Sequence, residues 1–355
     1  MAINLATKYS DRLSVAFSRE SFLSGKTSSA YNWQGVKGIN IYSILTQPLN
    51  DYDRTLPGNR YGVPRELEDA IQEMNLRNDK AFAITIDRGN NTEQLAIKQA
   101  GRVMQMQIRE QLVPVADQWA MKEWAQNSHN VITSAAAPSA TTILEQLVAI
   151  ETAMNDAFVP TSNRYVAISN AMVGYLRLSL PNADTVTDRL LLKNVVGMFG
   201  TLKVIGMPTS WLPAKVYGLA WVQESVLFPF KMRETNLHLD PPGISGHLLE
   251  GRFIFDAFVL GAKGNGVVVL TAPANKAATP VITVGASTTT ITSSTSGATI
   301  KYTVDGSDPR HSRSAAVYSA AVPNPAAGKQ IKAAAVNFTA ADNPIYMSDL
   351  ATKTV

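Results

Sequence analysis

Apolar residues along this chain recur with three different periods, and each period predicts a different kind of element. Phe82, Ile84 and Ile86 alternate strictly with Ala83 and Thr85, the period of a half-buried strand. Val36, Ile39 and Ile41 head an earlier extended stretch. A polar run from Asp51 to Arg60 lies between them, so residues 36–90 are expected to form a long hairpin with a decorated tip. A helix from Pro64 to Asn75 competes with this reading, because Leu67, Ile71 and Met74 would share one face; the hairpin is preferred.

Residues 91–127 carry a helical stripe. Ile97, Met104, Ile108, Val115 and Trp119 follow one another at helical spacings and are expected to form the core face of a spine. Asn91 and Gln94 resemble a capping box. A helix of this length runs about 54 Å. Pro114 removes one hydrogen bond inside it, so a kink is expected there rather than an end. Thr142 and Glu145 form a second capping box, ahead of Ile143, Leu147, Ile150 and Met154.

From Arg164 onward short apolar runs alternate with turns, as in Tyr165-Val166-Ala167-Ile168 and Leu202-Lys203-Val204-Ile205. Residues 188–199 are read as one more helix. Helices followed by mixed strands in one body predict an α+β fold. After Thr271 the text changes to Thr, Ser, Ala and Val with Gly and Pro punctuation. Residues 272–279 read as a linker, and 280–355 as an all-β sandwich.

Composition narrows the function. Charged residues are 17% of the 355, below the usual quarter or so, which suits a surface that meets other protein. A net charge of +4 is too small for a sequence-reading nucleic-acid binder. Without cysteine, disulfides and thiolate metal sites are excluded. No apolar run is long enough to span a membrane, and Met1–Lys8 show no signal-like core, so the expected compartment is a cytoplasm.

Catalytic motifs are missing. His238, Asp240, His247 and Glu250 match no standard metal spacing. The run from Gly261 to Gly266 leads into a strand and is read as a tight turn rather than a phosphate loop. Asp305-Gly306-Ser307-Asp308-Pro309 is read as turn chemistry. Trp119, Trp124, Met104 and Met106 are assigned to packing. Asp51, Asp53, Glu66, Glu68 and Asp69 are read as solvated charge, with ion pairing between subunits as the functional alternative. The expectation is no enzyme and no cofactor.

Several stretches, in order, resemble the major capsid protein family of tailed bacteriophages. Phe82–Arg88 resembles the strand that returns from that family's extended loop. Asn91–Trp124, with Pro114 and Asp117, resembles its spine helix. Tyr165–Ser169, Gly206–Pro213 and Gly251–Leu260 resemble its later strands and axial loop. The resemblance covers about residues 1–271. It implies an N-terminal arm (1–35), an extended hairpin loop (36–90), and a spine helix with peripheral and axial domains (91–271). Gly297–Pro309, Tyr318 and Ile331–Val336 resemble bacterial immunoglobulin-like modules of the chitobiase C-terminal type.

These resemblances imply a structural protein that assembles into hexamers and pentamers of an icosahedral head around double-stranded DNA. Virion location, assembly in a bacterial host cytoplasm, a portal, a separate scaffold protein and non-specific DNA contact come with them. Asp51, Asp53, Arg54, Arg60, Glu66, Trp211 and Tyr217 are expected at contacts between subunits. The module is expected to face outward, to take carbohydrate if it binds a ligand, and to be dispensable for assembly. Tyr302, Tyr318, Phe338 and Tyr346 are assigned to its core. A carbohydrate-active enzyme with an accessory β-domain, or a phage tail protein, is the alternative.

Overall fold

The computed structural model describes residues 21–31, 33, 38–44, 51–55, 58–61, 69–88, 100–179, 197–326, 328–336 and 344–355. Strands β1 (Gly38–Ile44), β2 (Asp69–Asn75) and β3 (Asn78–Asp87) come first. A long helix follows in three pieces: α1 (Ala100–Gln107), a π-helical turn (Ile108–Leu112) and α2 (Val113–Gln126). Then come β4 (Asn130–Thr133), α3 (Ile143–Asp156), β5 (Arg164–Ser169) and α4 (Asn170–Ser179). Next are β6 (Gly197–Phe199), β7 (Leu202–Met207), β8 (Val216–Val222), β9 (Val226–Leu227), β10 (Phe230–Leu239), β11 (Gly246–Phe255), β12 (Phe258–Val259) and β13 (Val267–Thr271). The C-terminal strands are β14 (Val281–Val284), β15 (Thr288–Thr292), β16 (Thr299–Thr303), β17 (Ala316–Val317), β18 (Val322–Pro323), β19 (Gln330–Val336) and β20 (Ala351–Thr354).

A six-stranded mixed sheet, ordered β4-β13-β8-β5-β7-β6, forms the centre of the body. It is covered on both faces, and this explains the continuous apolar runs. Along β5, Tyr165 and Ala167 join the core under α2, while Val166 and Ile168 join the core under α3 and α4. Along β13, Val267 and Val269 face the first core, and Val268 and Leu270 face the second. The helix read over 188–199 is corrected at its end, since 197–199 is strand β6; residues 188–196 lie outside the described residues.

The long helix changes register at Pro114. The Val113 N–H bonds back five residues to the Ile108 carbonyl, widening the turn just where proline lacks a donor and crowds the preceding turn. One extra residue in a turn rotates everything beyond it by about 100°. Before the π-turn the inward positions are those of the expected stripe: Met104 and Ile108 are half-buried. Beyond it the buried face is Ala116, Ala120 and Trp124, while Val115 is 47% exposed. The expected core position at Val115 is thus corrected to Ala116, and Trp119 is half-buried. Ile97, with the Asn91 cap, lies outside the described residues. The shift also changes partners. Ile108 and Leu112 pack on Phe82, Phe253 and Phe255 of the three-stranded sheet β10-β11-β3, whereas Trp124 packs on the central sheet.

The alternation in β3 is half-burial on that small sheet: Phe82, Ile84 and Ile86 turn inward, and Ala81, Ala83 and Thr85 outward. Asp69–Asn75 is strand β2, so the helix that competed for residues 64–75 does not extend through this part. At α3, Thr142 makes no cap bond to the helix. Its hydroxyl faces backward instead, donating to the Ala137 carbonyl (3.1 Å) and accepting from the Ser139 N–H (2.9 Å). The expected capping box therefore does not form, because the preceding turn takes the hydroxyl.

The C-terminal end of α3 holds an unexpected residue. The Val159 N–H bonds to the Met154 carbonyl and the Phe158 N–H to the Asn155 carbonyl, a Schellman closure with Phe158 at the left-handed position usually given to glycine. Phe158 has φ 53° and is 94% exposed. The strain of about 1 kcal/mol has no packing return within the subunit. Phe158→Gly is therefore expected to stabilise the isolated subunit by about 0.5–1 kcal/mol, read as a higher denaturant midpoint. An unchanged or lower midpoint would contradict this.

The C-terminal strands form two facing sheets, β14-β15-β18 and β17-β16-β19-β20. Ile291, Ile300, Ile331, Ala333 and Ala335 fill the space between them, with Tyr302 and Tyr318 edge-on at its border. Asp305 accepts the Ser307 N–H (2.9 Å), as turn chemistry requires. Tyr346 is a correction. It packs in the core under α2, 1% exposed, and donates its hydroxyl to the Ala214 carbonyl (2.6 Å), so it serves the body and not the module. Phe338 lies outside the described residues.

Candidate functional site

The most unusual surface is the β1–β2 hairpin. The two strands pair antiparallel from Gly38↔Asn75 at the base to Ile44↔Asp69 outward. Ile39 and Ile41 turn toward the body and pack with Trp33, Met74, Leu76 and Leu260. Gln72 ties the stem down through both amide atoms, donating to the Val259 carbonyl (2.9 Å) and accepting the Gly261 N–H (2.7 Å). The opposite face is open: Tyr42 and Ile44 are exposed, Ile44 at 68%.

In the connecting loop, Asp53 accepts both the N–H and the hydroxyl of Thr55 (2.8 and 2.6 Å). The Asp53 N–H reaches the Arg60 carbonyl (3.1 Å). Tyr52 meets Tyr61 edge-on at 5.0 Å, and Tyr61 is 82% exposed. The fold thus gathers Asp51, Asp53, Arg54 and Arg60 on one exposed loop. Glu66 lies outside the described residues. A two-stranded ribbon is marginal in water by itself, and this one presents aromatic and aliphatic side chains to solvent.

The hinge under the hairpin rests on a polar network that carries no sequence motif. Asp256 is fully buried. It accepts the backbone N–H of Arg77 (3.0 Å), the Arg77 guanidinium (Nε, 3.0 Å), the Trp119 indole N–H (2.8 Å) and the Ala257 N–H (2.8 Å). Arg77 also donates to Glu123 (2.7 Å). Partial burial disfavours the Arg77 charge, but Asp256 and Glu123 outweigh it and raise its pKa above the ordinary arginine value. Arg77 sits between β2 and β3, so the network fixes where the hairpin leaves the body. The one sequence signal was a carboxylate within the apolar run Phe253–Leu260.

The described part of the N-terminal segment, expected as an arm over 1–35, is seated in the core of its own subunit. Phe22 and Leu23 are buried under α2. Asp117 accepts the Ser21 hydroxyl (2.7 Å) and the Phe22 N–H (2.8 Å), and Trp221 donates its indole N–H to the Lys26 carbonyl (3.0 Å). Burial pushes the Asp117 carboxyl up to about 6, against the pull of Ser21, the Phe22 N–H and Lys26. Trp211, expected at a contact between subunits, meets Phe22 edge-on at 5.1 Å. Tyr217 packs half-buried on the core under α3 and α4. Both lie far along the chain from the hairpin loop and are occupied by packing within the subunit.

The polar groups weighed as ligands separate. His238 pairs with Glu250 (3.2 Å), Asp240 pairs with Arg88, and His247 has no part in either pair. Among the described residues one trio, His129, Asp308 and His311, is close enough to share an ion. Arg310 already takes both Asp308 oxygens (2.9 and 2.6 Å), so an ion pair occupies the place a cation would need. Among the described residues, no helix is long and apolar enough to cross a membrane.

Comparison with known proteins bears on these surfaces. Residues 289–349 match the family described as Fn3 associated. No curated protein sequence matches the chain. Solved structures do. A Mycobacterium phage Che8 chain superposes with a TM-score of 0.62 at 15% identity, over 76% of this chain and 98% of that one. The capsid structure of Cyanophage P-SCSP1u gives 0.59 at 13%, over 76% and 93%. The capsid of Myoviridae phage XM1 gives 0.55 at 12%, over 76% and 99%. The chain has the fold seen in these phage capsid structures, with an immunoglobulin-like C-terminal segment.

Proposed function

We propose that a chain with this fold is itself a capsid subunit, a structural protein that works by assembling with copies of itself in the virion. The carrying observation is the hairpin: within a capsid-type fold, it projects Tyr42, Ile44, Tyr52 and Tyr61 into solvent. Burying such side chains is worth roughly 1.5–3 kcal/mol each, and a second copy supplies the cover a two-stranded ribbon lacks. In this reading the hairpin within 36–90 lies over a neighbour, together with the part of the arm that precedes Ser21, because Phe22 and Leu23 are seated in their own subunit's core. Asp51, Asp53, Arg54, Arg60 and Glu66 form ion pairs across that contact. The long helix is the rigid bar of a shell unit spanning 91–271. Trp211 and Tyr217 stand near the capsomer centre, where they shape the contact through packing.

Hexamers and pentamers of this unit then close around double-stranded DNA, held by weak, non-specific charge contact repeated over many copies. A portal and a separate scaffold protein complete the assembly, which takes place in the bacterial cytoplasm. The segment 272–279 joins the shell unit to a module, 280–355, that faces outward with carbohydrate as its ligand class.

Electron microscopy and sizing of the purified chain test the reading. The wild type is expected to form capsomers or shells. Tyr42→Asp with Ile44→Asp should leave the subunit folded by circular dichroism but monomeric. A wild-type chain that stays monomeric at high concentration, or a double variant that still assembles, would overturn the proposal.

A further inference from the structure

The glycine run at Gly261 forms a 3₁₀ turn, Gly261–Gly266, and two of its glycines make room for rings. A Cβ on Gly261 would run into the His311 imidazole, and one on Gly264 into that of His129. His129 follows the long helix, whereas His311 belongs to the C-terminal module. Their rings lie 5.3 Å apart at 20°. Arg310 joins the two parts a second time, donating to the His129 carbonyl (2.9 Å) while it holds Asp308. Three residues on, the Arg313 N–H donates to the Ile71 carbonyl of the hairpin stem (2.8 Å), and its guanidinium is 3.9 Å from Glu73. Body, module and hairpin stem therefore meet at the histidine pair.

This place is hostile to a proton. His311 Nδ1 is buried without a hydrogen-bond partner. Burial, and then the Arg310 charge, push His129 down to about 3; Asp308, 3.8 Å from its Nδ1, opposes them, and His311 adds to the lowering. Burial also lowers His311, where Asp308 opposes and Arg310 and Lys332 add to the effect. The remaining charged groups nearby are already engaged: Lys263 of the glycine turn pairs with Glu224, and Glu73 faces Arg313.

We propose that the His129–His311 pair is an acid-released latch: neutral, it docks this edge of the C-terminal module on the body and the hairpin stem; protonated, it frees that edge, while Tyr346 stays seated in the body. The sign follows from linkage. A released histidine titrates near its ordinary value of about 6.5, so the released form binds more protons between that pH and about 3. Docking is at full strength above about 6.5 and weakens as pH falls. Asp308 is desolvated, yet Arg310 holds its carboxyl down to about 2, so the ion pair persists through the window. From pH 7.5 to 5.0 one such histidine weakens docking roughly thirtyfold.

Hydrogen exchange of the full chain tests this, with the Arg313 amide as reporter. After correction for intrinsic rates, its protection is expected to fall at least about tenfold from pH 7.5 to 5.0. Amides of β16 and β19 should stay protected, and the module intact. His129→Gln with His311→Gln should remove the pH dependence. Gly264→Ala, which pushes the His129 ring out, should lower Arg313 protection already at pH 7.5. Equal protection at both pH values would overturn the latch. So would loss shared by β16 and β19, full pH dependence in the double variant, or a Gly264→Ala chain that behaves as wild type. Protection at pH 7.5 that disappears on adding EDTA would assign the trio to a cation and overturn it as well.

Discussion

Asp256→Ala is expected to cost the subunit about 3–5 kcal/mol, read as a large drop in the urea midpoint. The carboxylate is fully buried and accepts from Arg77, Trp119 and Ala257. Removing it orphans two backbone donors and an indole, each worth about 1–3 kcal/mol when left unpaired, and strips Arg77 of one of its two carboxylates. Arg77→Ala should cost clearly less, because Asp256 would keep the Arg77 backbone N–H, Trp119 and Ala257 as donors. Hydrogen exchange across β2 should rise in both variants, since the network sets the hairpin hinge. An Asp256→Ala chain within about 1 kcal/mol of wild type, or one less affected than Arg77→Ala, would refute the assignment.

Tyr346→Ala is expected to destabilise the body by about 3–5 kcal/mol, although the residue lies in the C-terminal segment. Its ring fills the core under α2, and its hydroxyl satisfies the Ala214 carbonyl. The chain around it is laced to the segment that precedes the module. The Ala277 N–H reaches the Tyr346 carbonyl (2.9 Å), and the Tyr346 N–H reaches Asn275 (2.7 Å). The readout is selective, because all five tryptophans (33, 119, 124, 211 and 221) precede the module, so their emission reports the body. Tyr346→Phe should cost about 1–3 kcal/mol, from the unpaired carbonyl. A tryptophan transition unmoved by Tyr346→Ala would restore the expectation of a detachable decoration. Removal of 278–355 should accordingly weaken the body and not merely bare it.

Much of the local structure was legible because it follows from periods. Strict alternation at Phe82, Ile84 and Ile86 marked a strand with one wet face. Unbroken runs at Tyr165–Ile168 marked strands covered on both faces. Pro114 announced a disturbance in the long helix, but a helical wheel assumes a constant turn, so it placed Val115 inside. The π-turn adds one residue per turn at one point, and the inward face moves to Ala116. Thr142 failed as a cap for a similar reason: a hydroxyl serves whichever acceptor or donor is nearest, and here that is the preceding turn.

The candidate surfaces divide the same way. The loop carrying Asp51, Asp53, Arg54 and Arg60 could be read directly, since polar residues between two strands have to meet at a turn. Trp211 could not: whether an aromatic after a Pro-Thr-Ser turn faces a neighbour or its own chain depends on Phe22, nearly 190 positions away.

The sequence by itself determined the elements, the two-part organisation and the absence of a recognisable catalytic motif, because these depend on residues within one or two turns of each other. Only the tertiary structure decided what joins them. Asp256 with Arg77, Asp117 with Phe22, Tyr346 with Ala214 and His129 with His311 are each pairs more than 90 positions apart. A buried pair leaves no period behind, since each partner is a single residue whose role exists only once the chain brings the other into contact. The glycines at 261 and 264 illustrate this best: in the sequence they read as a turn, and in the fold they are the space that two distant rings occupy.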